Sequence, residues 1–110
     1  DISTRSTVII ELYHTVLELA RRIENDKFEG RTLTLKIKYS DFSQITRSIT
    51  TNKLLQTKDD ILPAAKRLLG EVEYSANHPI RLIGLSVSNP LPESEMHRAE
   101  WVQSYIDFKD

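Results

Sequence analysis

Cysteine is absent from the 110 residues, which removes disulfides, thiolate metal sites and thiol nucleophiles together and suits a reducing cytoplasm. Glycine is scarce, with Gly30, Gly70 and Gly84 the only three, so the chain has no glycine-rich phosphate loop. No apolar run approaches the roughly 20 residues that span a bilayer, and no signal-peptide pattern opens the chain. Phosphoryl or nucleotidyl transfer needs clustered carboxylates for metal ions. Asp59 and Asp60 are neighbours at a helix start and point apart. The serines and the three histidines form no nucleophile-base signature. These absences argue against a membrane span, a metal or cofactor site within the chain, and a fragment that is an enzyme by itself.

What is present begins with one patterned stretch. From Arg31 to Tyr39, Leu33, Leu35, Ile37 and Tyr39 alternate with Thr32, Thr34, Lys36 and Lys38. Side chains of a strand point alternately to opposite faces, so this segment predicts a half-buried strand with a polar, cationic outer face. Ser40, Asp41 and Ser43 supply turn chemistry, and Gln44-Ile45-Thr46-Arg47-Ser48-Ile49-Thr50 resumes as a β-branched run, which makes an antiparallel hairpin. Rows of hydroxyls and ammonium groups suit phosphate oxygens. Exposed strand faces are also commonly Thr and Lys for solubility alone.

A length of 110 residues sets one domain with a single core, and a hydrophobic content of 39% fits a sheet with one wet face. The net charge is only -1, but it is unevenly spread. Lys27, Arg31, Lys36, Lys38, Arg47 and Lys53 face only Glu29 and Asp41, a local balance of +4. In the tail, Glu93, Glu95, Glu100, Asp107 and Asp110 outnumber Arg98 and Lys109, a balance of -3. A polyanion is therefore drawn to the hairpin and repelled by the tail.

Before the hairpin, Val8, Leu12, Val16, Leu19 and Ile23 recur at three- and four-residue steps, an apolar stripe on a helix capped by Ser3 or Ser6 and ending near Asn25. His14 on that helix has no partner at a convincing ligand spacing and reads as exposed or hydrogen-bonded. After the hairpin a second helix buries Ile61, Leu62, Ala65, Leu68 and Leu69. Thr57 and Asp60 resemble a capping box, but Pro63 favours a start nearer Asp59, and Gly70 is expected as a left-handed stop. Ile80 to Ser88 is the last strand, with Ile83, Leu85 and Val87 inward and Gly84, Ser86 and Ser88 outward. The order helix, strand, strand, helix, strand gives an α+β fold, a three-stranded antiparallel sheet with two helices on one face.

The blocks GRTLTLKIKYSDFSQITRSIT and IRLIGLSVSN, separated by a helix, resemble the C-terminal little finger (polymerase-associated) domain of Y-family translesion DNA polymerases, DinB type. The resemblance covers Ser3 to Asn89. It implies a catalytic, magnesium-dependent domain upstream of Asp1, an excised first strand, and an open sheet laid across duplex primer-template DNA in contact with both backbones. On this resemblance Arg31, Thr32, Thr34, Lys36, Lys38, Thr46, Arg47, Ser48, Arg81 and Ser86 are the DNA-binding positions. Arg47 has the parity of Ile45 and Ile49, so facing outward would require a bulge. Leu82 and Ser86 stand where some members of the family carry arginines.

Residues 1–89 thus form the DNA-gripping unit and 90–110 a tail. With the first strand missing, Ile80–Ser88 is expected to be an unprotected edge and to pair with a second copy of the chain. In the tail, Gln103, Ile106 and Phe108 resemble a sliding-clamp peptide, while Trp101, Tyr105 and Phe108 also fit a packed helical stripe. The competing function class is a stand-alone interaction module with this architecture and no affinity for DNA.

Overall fold

The computed structural model describes residues 4–89 and, for the backbone alone, 101–107. The elements run α1 (Arg5–Asp26), β1 (Thr32–Tyr39), β2 (Gln44–Thr50), α2 (Lys58–Leu69), β3 (Ile80–Ser88) and β4 (Trp101–Asp107). The sheet order is β2-β1-β3-β4, and every neighbouring pair is antiparallel. Both helices lie on one side of this sheet, α1 against β3 and β4 and α2 against β1 and β2. The α+β class with its three expected strands is present, and a fourth strand is added.

That strand corrects one expectation. β3 is not an edge, because β4 pairs along it from Leu82 opposite Asp107 to Ser88 opposite Trp101. The edge-to-edge dimer loses its basis with the free edge. A helical stripe for Trp101 to Phe108 is also overturned, since Trp101–Asp107 is extended, with Phe108 outside the described residues. The segment carries no period-two alternation, since apolar Trp101-Val102 and Tyr105-Ile106 flank polar Gln103-Ser104, but its β-branched and aromatic residues suit a strand.

The α1 stripe is buried as its spacing demands: Val8, Leu12, Val16 and Leu19 are fully covered and Ile23 nearly so. They meet Leu33, Leu35, Ile37 and Tyr39 from β1 and Ile80, Ile83, Leu85 and Val87 from β3. Thr15, the buried polar residue of α1, donates its hydroxyl to the Glu11 carbonyl at 2.9 Å and so leaves nothing unpaired. Thr4, rather than Ser3 or Ser6, is the N-cap of α1. At the other end Lys27 turns left-handed (φ 53°) and Phe28 N–H donates to the Ile23 carbonyl at 3.1 Å, a Schellman closure that satisfies a terminal carbonyl. Gly30 then passes so close to β3 that a β-carbon would stand 2.6 Å from the Ser88 carbonyl oxygen, so only glycine fits.

The second helix starts at Thr57 and not nearer Asp59. Asp60 N–H donates to the Thr57 hydroxyl at 3.3 Å, while Thr57 N–H and Gln56 N–H donate to the Asp60 carboxylate at 3.1 and 3.2 Å. This reciprocal box satisfies more backbone groups than the single bond that Pro63 removes. Ala64 joins Ile61, Ala65, Leu68 and Leu69 in the core, and Leu62 is only half-buried. Gly70 is right-handed (φ -62°), not a left-handed stop. The chain instead leaves α2 through tightening turns in which Glu71 and Val72 N–H donate to the Leu68 and Leu69 carbonyls at 3.0 Å.

Thr57→Ala should cost about 1 kcal/mol in urea unfolding, as loss of a cap does. The Asp60 carboxyl is held below its ordinary 3.8, first by the Thr57 backbone N–H. Its stabilising contribution is therefore present above that value and lost as pH falls through the lowered one, so Asp60→Asn should flatten the acid limb of a stability-pH curve below about pH 4. Removal of residues 101–110 should leave the β3 edge unpaired and produce concentration-dependent association in sedimentation velocity; a truncated chain that stays monomeric at high concentration would remove that role from β4.

Candidate nucleic-acid interface

The sheet face opposite the helices is built by register. Leu33, Leu35 and Ile37 lie opposite Ile49, Arg47 and Ile45 on β2 and opposite Val87, Leu85 and Ile83 on β3. Every residue between them therefore shares the other face. One row reads Thr50, Thr32, Ser88; the next Ser48, Thr34, Ser86; the next Thr46, Lys36, Gly84; the last Gln44, Lys38, Leu82. All of these residues except the buried Gly84 are exposed or half-exposed.

Their hydroxyls are paired across the hairpin. Thr32 and Thr50 oxygens stand 2.8 Å apart, as do those of Thr34 and Ser48. Each pair consumes one of its two O–H protons and leaves the other free to point outward. The face thus offers neutral donors that can rotate to suit an acceptor, with Lys36 exposed beside them and Lys38 half-exposed at the hairpin end. Such groups hold phosphate oxygens without reading a base edge.

Of the ten positions expected to bind DNA, Thr32, Thr34, Lys36, Lys38, Thr46, Ser48 and Ser86 share this face. Arg47 does not. It lies opposite Leu35 with no bulge between β1 and β2, which puts it on the helix side of the exposed edge strand. There its guanidinium donates to the Thr46 carbonyl at 2.8 Å. Arg31 precedes β1 with the parity of Leu33 and is likewise outside the outward rows, its N–H bonded to the Ser88 carbonyl at 3.2 Å.

Arg81 reaches the face through an irregularity. Lys38 pairs with Leu82 but Tyr39 pairs with Ile80, so Arg81 is the extra residue of a β-bulge. A bulge re-aims side chains. The Arg81 guanidinium carbon stands 5.1 Å from the centre of the Phe42 ring, and Lys38 Nζ stands 5.5 Å from the same centre. Phe42 itself is 64% exposed. It occupies the last position of the hairpin loop at φ 70°, with its N–H bonded to the Tyr39 carbonyl at 2.9 Å and Tyr39 N–H bonded to the Ser43 carbonyl at 2.8 Å. Sequence reasoning named Lys38 and Arg81 separately and passed over Phe42; an aromatic inside a turn otherwise made of Ser and Asp was the available signal.

The nearby acid is directed elsewhere. Asp41 accepts from Ser43 N–H at 2.9 Å and lies 3.6 Å from His78. The Ser43 hydroxyl, then its N–H, hold the Asp41 carboxyl below the usual aspartate range. Tyr39 anchors the same end from beneath: its hydroxyl donates to the Glu73 carbonyl at 2.6 Å and its ring stacks on His78 at 3.7 Å. Burial, and secondarily the Glu73 charge, push the Tyr39 phenol above 10.0.

Among the described residues no three His, Asp or Glu side chains converge where a metal ion could sit. His14 pairs with Glu11 at 3.6 Å on the exposed side of α1. Among the described residues no helix is long and apolar enough to cross a membrane.

Of the clamp-peptide positions, Gln103 and Ile106 fall within β4, with backbones opposite Ser86 and Ile83, and Phe108 lies outside the described residues.

Comparison with known proteins identifies a family and relatives for the chain. The impB/mucB/samB family C-terminal domain matches residues 1–100. DNA polymerase IV of Bacteroides fragilis is 58% identical over 110 residues, 100% of this chain and 30% of that protein. DNA polymerase IV of Akkermansia muciniphila is 41% identical over 92 residues, 84% of this chain and 25% of that protein, and that of Clostridioides difficile is 37% identical over 90 residues, 82% and 24%. The chain thus spans less than a third of the length of these relatives. With residues 1–100 matched and 58% identity sustained along its whole length, the chain belongs to the impB/mucB/samB family as its C-terminal domain, the group that its hairpin and its Ile80–Ser88 strand resemble.

Proposed function

We propose that this domain holds primer-template DNA for a Y-family translesion DNA polymerase of the polymerase IV type, gripping the duplex through its backbone during lesion bypass. The observation that carries the reading is the uncovered sheet face, on which hydroxyl rows and the cations Lys36, Lys38 and Arg81 are assembled from three strands. Polymerisation and its magnesium belong to the remainder of a longer protein, as the names and lengths of the relatives suggest. The domain contributes attachment without base readout, because phosphate contacts release counterions and carry no sequence information.

Three cations on the face and a net charge of -1 make the grip of the isolated chain weak. Capture of a sliding clamp by Gln103, Ile106 and Phe108 is part of the same proposal. It sets the tail two competing tasks, since Gln103 and Ile106 also pair with β3.

Fluorescence anisotropy on duplexes of unrelated sequence tests the grip. Affinity should be independent of sequence. It should fall by at most about 40-fold between 50 and 200 mM salt, as a slope of about -0.9 per neutralised phosphate gives for three contacts. Lys36→Glu/Lys38→Glu should abolish binding at 50 mM salt. A chain that binds no duplex at low salt would instead be an interaction module, and unchanged affinity in the charge-reversed variant would take the sheet face out of the account.

A further inference from the structure

Strand β4 carries the open face one column further. Its backbone register sets Trp101 opposite Ser88, Gln103 opposite Ser86, Tyr105 opposite Gly84 and Asp107 opposite Leu82, all partners drawn from the outward rows. Directly paired residues share a face of the sheet, so these four positions belong to the open face. Val102, Ser104 and Ile106 lie opposite Val87, Leu85 and Ile83 and belong to the helix side, where α1 packs on β4. The two apolar pairs of the segment are therefore split. Val102 and Ile106 fall to the core side, and Trp101 and Tyr105 to the side that the core does not use.

Packing accounts for only one of these aromatics. Gly84 is buried although it belongs to the open face, and an aromatic across from a glycine covers its bare backbone, a task that suits Tyr105. Trp101 stands opposite Ser88 and has no such task. It is also the single tryptophan of the chain.

The neighbouring columns fit a nucleotide strand whose bases are free. Lys36, Gly84 and Tyr105 follow one another across β1, β3 and β4, and two rows away Thr32, Ser88 and Trp101 do the same. Two strand spacings, about 10 Å, separate β1 from β4, with only glycine and serine between them in these rows. Phosphate on the hydroxyls and cation of β1, sugar over the small residues of β3 and base on β4 fill that width in order. Acidic Glu100 and Asp107 bracket the aromatics in sequence, which keeps phosphate off β4 and leaves it to the base. Every base has a π face that an aromatic can stack on, provided it is not already stacked within a duplex.

We propose that Trp101 and Tyr105 form a stacking platform for the unpaired bases of single-stranded DNA, whose phosphates run along Thr32, Thr34 and Lys36. The platform goes beyond the duplex grip, since it takes a different form of the polymer and its test does not require that grip.

The fluorescence of the single tryptophan reads the site directly in the full 110-residue chain. At low salt a thymidine oligomer should quench it saturably, whereas an abasic oligomer of the same charge and a blunt duplex should not. The thymidine oligomer should bind about fivefold or more tighter than the abasic one, as base stacking requires. Trp101→Thr and Tyr105→Thr, which keep a strand-forming residue, should each weaken the thymidine oligomer about fivefold and the blunt duplex less than about twofold. Trp101→Phe, which keeps a π face, should stay within about threefold of wild type. Backbone NOEs between β3 and β4 should persist in the threonine variants, which separates lost stacking from lost pairing. The comparison of thymidine with abasic oligomer needs no variant.

Equal affinity for the two oligomers, or a tryptophan signal that the thymidine oligomer leaves unchanged, overturns the platform whatever the duplex does. Equal quenching by the blunt duplex also overturns it, because the ring would then respond to phosphate and not to a free base. Quenching by the thymidine oligomer in a chain that binds no blunt duplex upholds the platform and removes the duplex grip.

Discussion

Leu35 lies opposite Arg47 on one side and Leu85 on the other, and the rest of the molecule depends on that phase. A one-residue slip of either neighbour would carry hydroxyls into the core and leucines into water, because the side-chain period of a strand is two. The helices cover whichever face is apolar. Their burial of Leu33, Leu35, Ile37, Ile83, Leu85 and Val87 fixes the register, at about 25 cal/mol for each Å² of apolar surface withdrawn from water. Stability and function are thus coupled through one constraint. The same pairing that makes the core dry brings Thr34 alongside Ser48 and Ser86, and Lys36 alongside Thr46 and Gly84.

Where the phase breaks, the break is local and has a consequence. Between Lys38 and Tyr39 the register with β3 shifts by one residue. Tyr39 stays with the core on one side of the shift, tied to the Glu73 carbonyl and stacked on His78. Arg81 is released on the other. Without the extra residue Arg81 would alternate with Leu82 and point toward the helices, so the bulge adds a cation to the open face without disturbing the inward rows.

The strongest patterns were legible because they are periodic. The α1 stripe and the β1 alternation both appear in the structure with every expected residue buried. The failures are places where a tertiary or reciprocal interaction overrides a local rule. Pro63 argued for a late start to α2, but the hydrogen bonds between Thr57 and Asp60 fixed an early one. Gly70 suggested a left-handed stop, yet the chain needs only right-handed turns to leave the helix. Arg47 looked like a phosphate ligand by resemblance, while its parity already opposed it, and the unbroken β1–β2 register sides with parity. The fourth strand was passed over because the acidic, proline-bearing stretch before it suggested a detached tail. Nor does Trp101 to Asp107 alternate: its apolar residues come in adjacent pairs, and it is pairing with β3 that makes it a strand.

Two described non-glycine residues adopt positive φ, and they separate the needs of the fold from those of the surface. Lys27 is repaid within the fold: its geometry lets Phe28 N–H reach the Ile23 carbonyl and closes α1, with Phe28 packed against the core. Phe42 makes the same hairpin closure that glycine would make, yet it adds an exposed ring that the core does not use. A left-handed L-residue costs roughly 1–2 kcal/mol, comparable to what two exposed cation–π contacts return at about 0.5–1 kcal/mol each. The balance is near zero for the free domain. The ring at Phe42 therefore costs the free domain little, and its contacts are with the cations Lys38 and Arg81 and not with the core.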